Sequence, residues 1–302
     1  MLVCGCAAGC GGTSPTTIAA NTTAFSIATD ETSIYWTSYD GVYRAPKAGE
    51  NVTPTQIAEF GADNVSRVVG VVVDASAVYW AEPGTCTAGA TDGAIFTAPL
   101  GGGAPTMLAG QQACPAGLAA DPDTIYWATS TAILTMPKAG GPIMTLASGE
   151  MNVLALALDA TNVYWTDVGG TVRAIAKVGG AETTFTDDLG FSGGVAVDTA
   201  SVYFAGFNGI DGVVAKSPLG GGAVTTLATD DSEPRWVAVD AADVYWTDTY
   251  KVFRTTLDGA TTETLDGEDY GVSAIAIDDD NVYWGDTPTT NTIPVGLKRL
   301  PK

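Results

Sequence analysis

Histidine is missing from all 302 residues of the chain. Without an imidazole there is no Ser-His-Asp or Cys-His relay, no histidine-ligated zinc or iron centre, and no side chain whose ordinary pKa makes it a general base near neutrality. Cations are scarce as well: 13 Lys and Arg stand against 34 Asp and Glu, for a net charge of −21. Such a surface repels phosphate backbones and anionic headgroups at long range, so nucleic acid is not an expected partner. No apolar run reaches the length of a membrane-spanning helix. Membrane contact is therefore expected only through a lipid anchor.

What the chain does have is strand and turn chemistry, with 46% apolar residues and 37 glycines. Six of its seven tryptophans follow a tyrosine, at Tyr35-Trp36, Tyr79-Trp80, Tyr126-Trp127, Tyr164-Trp165, Tyr245-Trp246 and Tyr283-Trp284, and Tyr203-Phe204 supplies a seventh copy. The copies stand 38 to 47 residues apart, the period of a four-stranded propeller blade. An Asp precedes each tyrosine by five residues: Asp30, Asp74, Asp121, Asp159, Asp198, Asp240 and Asp278. Each opens a short turn, where a carboxylate accepts hydrogen bonds from backbone N–H groups a few residues on. In the fourth copy, "LALALD" reads as a first strand, "VYWTD" as a second, "TVRAIAKVGG" as a third with its turn, and "ETTF" as a fourth. A blade lies between two neighbours, so both faces of its second strand are buried and a Val-Tyr-Trp run needs no polar alternation.

The last repeat ends after its third strand, "GLKRLP" (296–301), while "SPTTIAA" (14–20) matches fourth strands such as "AVTTLAT" (223–229). The N-terminal strand is therefore expected to complete blade seven and so remove an open edge. The expectation is an all-β fold: one seven-bladed β-propeller over 14–302, with residues 1–13 as a tail and linker.

Tyr164-Trp-Thr-Asp167 and Tyr245-Trp-Thr-Asp248 carry the four-letter YWTD signature, and Tyr283-Trp-Gly-Asp286 differs from it by one residue. The chain thus resembles the YWTD (LDL-receptor class B) propellers, and looks more like bacterial secreted propeller lipoproteins with "VYWT" strands and "PLGGG" turns. It departs from the receptors in having seven repeats, no following EGF-like cysteine pattern, and no final Asp in four copies, so receptor function does not carry over. The resemblance implies a location outside the cytoplasm, either secreted or anchored to the envelope. Ala7-Ala8-Gly9-Cys10 before "GGTSP" resembles a lipobox, which would make Cys10 the lipidated residue. Cys86, after the second strand of blade two, and Cys114, in the connection to blade three, fall in loops that open on one face. A disulfide between them is expected on that ground, two free thiols being the alternative, and would suit an oxidising compartment.

Paired acids such as Asp187-Asp188, Asp230-Asp231 and Asp278-Asp279-Asp280 leave an extracytoplasmic hydrolase or lyase as the second reading, with calcium as its conceivable cofactor. No D-x-D-x-D-G spacing supports a calcium loop. Otherwise no cofactor or metal is expected. The "PLGGG" stretches lack the Lys-Ser/Thr ending of a phosphate loop and connect strands, so they read as turns.

The first reading is a non-enzymatic binding propeller. Turns after first and third strands are uniform, whereas connections after second strands and between blades vary in length, as loops that carry function do. Off-repeat aromatics gather on that variable face: Tyr39, Phe60, Phe191, Phe207, Tyr250 and Tyr270, with the cations Arg67 and Arg235. Four residues before the repeated Asp, the inner strands carry Ser26, Gly70, Gly117, Ala155, Gly194, Trp236 and Ala274, so six small residues contrast with one tryptophan. Trp236 beside Arg235 is therefore the lead candidate for a site at the channel mouth, near Phe191, Tyr250 and Tyr270, the alternative being that Trp236 only fills a wider gap between blades five and six. The expected partner is a protein or glycan of the cell envelope, bound by a monomer.

Overall fold

The Tyr-Trp pair dictates the architecture, because adjacent residues of a strand point to opposite faces of the sheet. A computed structural model describes residues 14–60, 70–230, 232–267, 271–286 and 295–302, and for Phe191 and Ser192 the backbone. These residues form seven four-stranded antiparallel sheets arranged as a closed propeller. Blade four shows the pattern: inner strand Val153–Leu158, then Asn162–Asp167, Val172–Ala176 and outer strand Thr183–Thr186.

Six of the seven core clusters join the tyrosine of one blade to the tryptophan of the next. Tyr35 meets Trp80, Tyr79 meets Trp127, Tyr126 meets Trp165, Tyr203 meets Trp246, Tyr245 meets Trp284, and Tyr283 closes the ring on Trp36. Between blades four and five Tyr164 meets Phe204, which fills the tryptophan position. All six paired tryptophans are buried, so each indole N–H needs a partner. Trp36 donates to Thr22 Oγ1 at 3.0 Å, Trp127 to Gln112 Oε1 at 3.0 Å, and Trp165 to Glu150 Oε2 at 2.9 Å. Burial raises the Glu150 carboxyl above its ordinary pKa, and Arg173 Nη1 at 3.2 Å partly offsets that cost.

Closure follows the expected route. Blade seven runs Val272–Ile277, Asn281–Asp286, Gly296–Pro301 and finally the N-terminal strand Thr16–Ala20. Thr16 stands opposite Arg299 and Ala20 opposite Gly296, with a register slip between Thr17 and Ala19. Ile18 and Ala19 are fully buried among Trp36, Tyr283 and Leu297. The far side of the strand is tied to blade one, where the N–H groups of Asn51 and Val52 donate to the carbonyls of Thr17 and Ile18.

One face of the ring carries the uniform turns. All seven repeated Asp residues accept, through Oδ1, the N–H groups two and three residues on, and through Oδ2 the hydroxyl of the tyrosine five residues on. The turn role expected for Asp is present, and the tyrosine hydroxyl adds to it. Four of these carboxylates also hold a lysine of the following blade: Lys138 to Asp74 at 2.6 Å, Lys177 to Asp121 at 3.0 Å, Lys302 to Asp240 at 2.6 Å, and Lys47 to Asp278 at 2.6 Å across the closure. These clips fasten neighbouring blades outside the aromatic core.

Candidate functional site at the channel mouth

The opposite face carries the variable loops around the mouth of the central channel. Inner strands expose their unpaired edges to this channel, and small side chains at the mouth keep it open. Ser26, Gly70, Gly117, Ala155 and Gly194, together with Trp236, line the mouth end of a channel cavity of about 380 Å³ that runs on to Thr29, Val73 and Ala120. Trp236 begins the inner strand of blade six, Trp236–Val239, opposite Thr247.

Close approach of two backbones sets its position. Arg235 N–H donates to the Thr247 carbonyl at 2.7 Å, and the Arg235 carbonyl accepts from Gly194 N–H at 2.5 Å. A Cβ on Gly193 would lie 2.2 Å from the Arg235 oxygen, and one on Gly194 would lie 3.0 Å from Trp236 Cα. Only paired glycines in blade five permit that contact. Thr166 of blade four adds its hydroxyl, donating to the Gly193 carbonyl at 2.5 Å. The Trp236 side chain is half-buried and packs against the cluster that contains Tyr164, Val195 and Phe204. The residue thus both packs against the core and lines the channel cavity. Arg235 is exposed, and its Nη2 lies 3.4 Å from Glu233 Oε2, an exposed pair of little energetic consequence.

The other expected site residues that are described, Tyr39, Phe207 and Tyr250, lie at different points of the same face. Tyr250 is exposed in the loop after the second strand of blade six, where buried Asp248 caps the turn by accepting from the N–H groups of Tyr250 and Lys251. Tyr39 is exposed and sits edge-on to Phe25 at 4.7 Å, lining a separate depression with Asp40 and Tyr43 rather than the channel mouth. Phe207 is half-buried at the end of a strand, and the backbone register sets residue 191 opposite it. Arg67, Tyr270 and Cys10 lie outside the described residues, as does the Phe191 side chain.

Phe60 departs from the expectation. It is buried in the core between blades one and two, in the cluster that contains Val42 and Val71, with its N–H donating to the Asp40 carbonyl at 3.0 Å at the end of the outer strand of blade one. Three exposed apolar residues also sit in variable-face loops, Met151, Val168 and Ile210; their signal in the sequence is an apolar side chain inside a polar connection, as in "FNGID". The Cys86–Cys114 disulfide is present, with Cα atoms 4.8 Å apart, and pins the long loop of blade two to the connection into blade three. Among the described residues no group of three or more His, Cys, Asp or Glu side chains converges on a metal position.

No protein-family model matches the chain, and no curated protein does. Solved structures do. The chain is similar to the WD40 β-propeller domain of Doa1, at a TM-score of 0.74 and 12% identity over 96% of this chain and 97% of that one. It is similar to an extracellular domain assigned to a hybrid two-component system of B. thetaiotaomicron, at a TM-score of 0.72 and 12% identity over 95% of this chain and 39% of that one. It is also similar to a chain of the nidogen/laminin complex, at a TM-score of 0.55 and 20% identity over 65% of this chain and 83% of that one. At these identities the likeness is one of fold, and the fold shared is the β-propeller.

Proposed function

We propose that the protein is a non-enzymatic binding propeller that works outside the cytoplasm and recognises a protein or glycan on its variable-loop face. One observation carries the reading: at the channel mouth, in a ring of small residues, a single half-buried tryptophan is presented to the cavity with an exposed arginine beside it. A rigid aromatic anchor braced by core on one side is the usual centre of a recognition surface. The variable loops around it supply the rim, and the disulfide holds one of them in place before any ligand arrives, which lowers the ordering cost of binding. The disulfide also supports an oxidising location. Two of the similar structures come from an extracellular domain and from a protein–protein complex, which agrees with this role without assigning a ligand.

The test is capture from envelope extracts and on a glycan array, using the wild type, Trp236→Phe and Trp236→Ala in parallel. Retention by the wild type, partial retention by the phenylalanine variant and loss in the alanine variant, all at unchanged melting temperature, are expected. A partner held equally well by folded Trp236→Ala would remove the tryptophan from the site.

A further inference from the structure

The face that carries the uniform turns holds a second kind of site. Each Asp–Tyr unit is a built receptor for an ammonium group, as four of the seven demonstrate. In those four a lysine Nζ lies 2.6 to 3.0 Å from the carboxylate. The same ammonium stands 4.9 to 5.9 Å from the centre of the tyrosine ring, within reach of cation–π attraction. The lysine always comes from the residue that follows the third strand of the next blade: Lys47, Lys138, Lys177 or Lys302.

In the other three blades that residue is Leu100, Leu219 or Leu257. Two of the three units left without a lysine have another cation. Arg44 stands 5.9 Å over the Tyr35 ring of the Asp30 unit and donates to the Leu100 carbonyl at 3.3 Å. Lys216 stands opposite Tyr203 of the Asp198 unit in the strand ladder and donates to the Leu257 carbonyl at 2.6 Å. Asp159–Tyr164 has neither. The third-strand residue opposite Tyr164 is Ala174, where Arg44 and Lys216 stand in the other two blades, and the next blade offers Leu219. Among the described residues it is the one unit of the seven with no cation.

That unit opens into a surface cavity between blades four and six, walled by Leu158, Val197 and Leu219. The carboxylate is ready for use: three hydrogen bonds from Thr161 N–H, Asn162 N–H and the Tyr164 hydroxyl, at 2.6 to 2.7 Å, fix it and keep it charged.

We propose that the Asp159–Tyr164 groove binds a lysine side chain of a partner polypeptide, its methylenes along Leu219 and Val197 and its ammonium on Asp159 Oδ2, in the place that Lys138 takes on Asp74. A polypeptide is the occupant the chemistry favours, because a free amine on one surface carboxylate gains little in water. The lysines already bound in cis are held by the chain around them, and a partner must supply the same. A net charge of −21 draws basic partners towards this face. The inference concerns the face opposite the channel mouth and stands independently of the function proposed above.

The experiment is an amide chemical-shift titration of the full chain at low salt with tetralysine, with Nε-acetylated tetralysine and with putrescine. Tetralysine is expected to shift residues 159–164 and 219 selectively, and the acetylated peptide to leave them unmoved. Asp159→Asn keeps the turn acceptor, and Leu219→Lys supplies an ammonium in cis without touching the turn. Each is expected to weaken the effect about two- to fivefold, the scale of one exposed ion pair, while Asp30→Asn leaves it unchanged. Shifts that are absent, that spread evenly over the acidic surface, or that persist in both groove variants would overturn the proposal. Putrescine binding as tightly as tetralysine would overturn the assignment to a polypeptide.

Discussion

Removing the N-terminal strand tests the closure of the ring through a single buried side chain. Ile18 has no solvent exposure and packs among Trp36, Tyr283 and Leu297, between blades seven and one. Truncating a buried isoleucine to alanine costs about 2–5 kcal/mol. For a chain of this size each kcal/mol moves the melting temperature by about 2 °C, so Ile18→Ala should lower it by roughly 4–10 °C. Deleting residues 1 to 20 loses Ile18 and Ala19 together, opens the ladder along Gly296–Pro301, and uncovers Leu297, so a fall greater than that of Ile18→Ala is expected. Ile57 is the control. It holds the corresponding place in the outer strand of blade one and is also buried, so Ile57→Ala should cost a similar amount without involving the chain ends. Differential scanning calorimetry at pH 7 reads all three. A synthetic peptide of residues 14–20 should raise the melting temperature of the truncated protein by pairing with the vacant edge. An unchanged melting curve for Ile18→Ala beside a several-degree loss for Ile57→Ala would refute closure by this strand.

Further expectations follow from the same contacts. Reducing Cys86–Cys114, which closes a span of 28 residues, should cost about 3–4 kcal/mol in the chain-entropy account, and peptide mass mapping of the native protein should recover the linked pair. The turn carboxylates Asp159 and Asp278 are pulled down to about 2, against opposing burial, by the Tyr164 hydroxyl and backbone N–H groups in one case and by Lys47 with the Tyr283 hydroxyl in the other. Their pKa is lower folded than unfolded, so their stabilisation is complete above the unfolded value near 4 and disappears as pH falls towards 2. Melting temperature should therefore hold level from pH 7 to 5 and drop between pH 4 and 2; a curve that falls between pH 7 and 5 would contradict the assignment. Gly193→Ala, which drives a methyl to 2.2 Å from the Arg235 oxygen, should destabilise the contact between blades five and six by about 2 kcal/mol or more, while Gly220→Ala in an open turn should be close to neutral.

Much of this architecture was legible because it repeats. Seven Tyr-Trp or Tyr-Phe copies with an Asp five residues earlier fixed the number of blades, and the unmatched strands at 14–20 and 296–301 predicted how they close. The alternation rule explains why both aromatics are needed, since one serves each neighbouring interface. The lysine clips were not foreseen. Lys47 and Asp278 meet across the closure and Lys138 reaches back 64 residues to Asp74, so no local spacing reveals the pairs. Only the recurrence of Lys after the third strand in four of seven blades marks them. The site was harder still. Trp236 stood out by contrast with six small residues, but Arg67, Tyr270 and the Phe191 side chain lie outside the described residues, and the burial of Phe60 was not legible because nothing in its local sequence distinguishes a loop aromatic from one that seals an interface.

The central claim is that Trp236 is the ligand-facing tryptophan, and its fluorescence tests that directly. The six paired tryptophans are at most 1% exposed, whereas Trp236 is half-buried at the cavity, so iodide should quench one tryptophan in seven, and Trp236→Phe should abolish that quenchable fraction. Adding the captured partner at saturation is expected to protect the same fraction from iodide. Quenching that persists unchanged in the complex would place the ligand elsewhere and contradict the account.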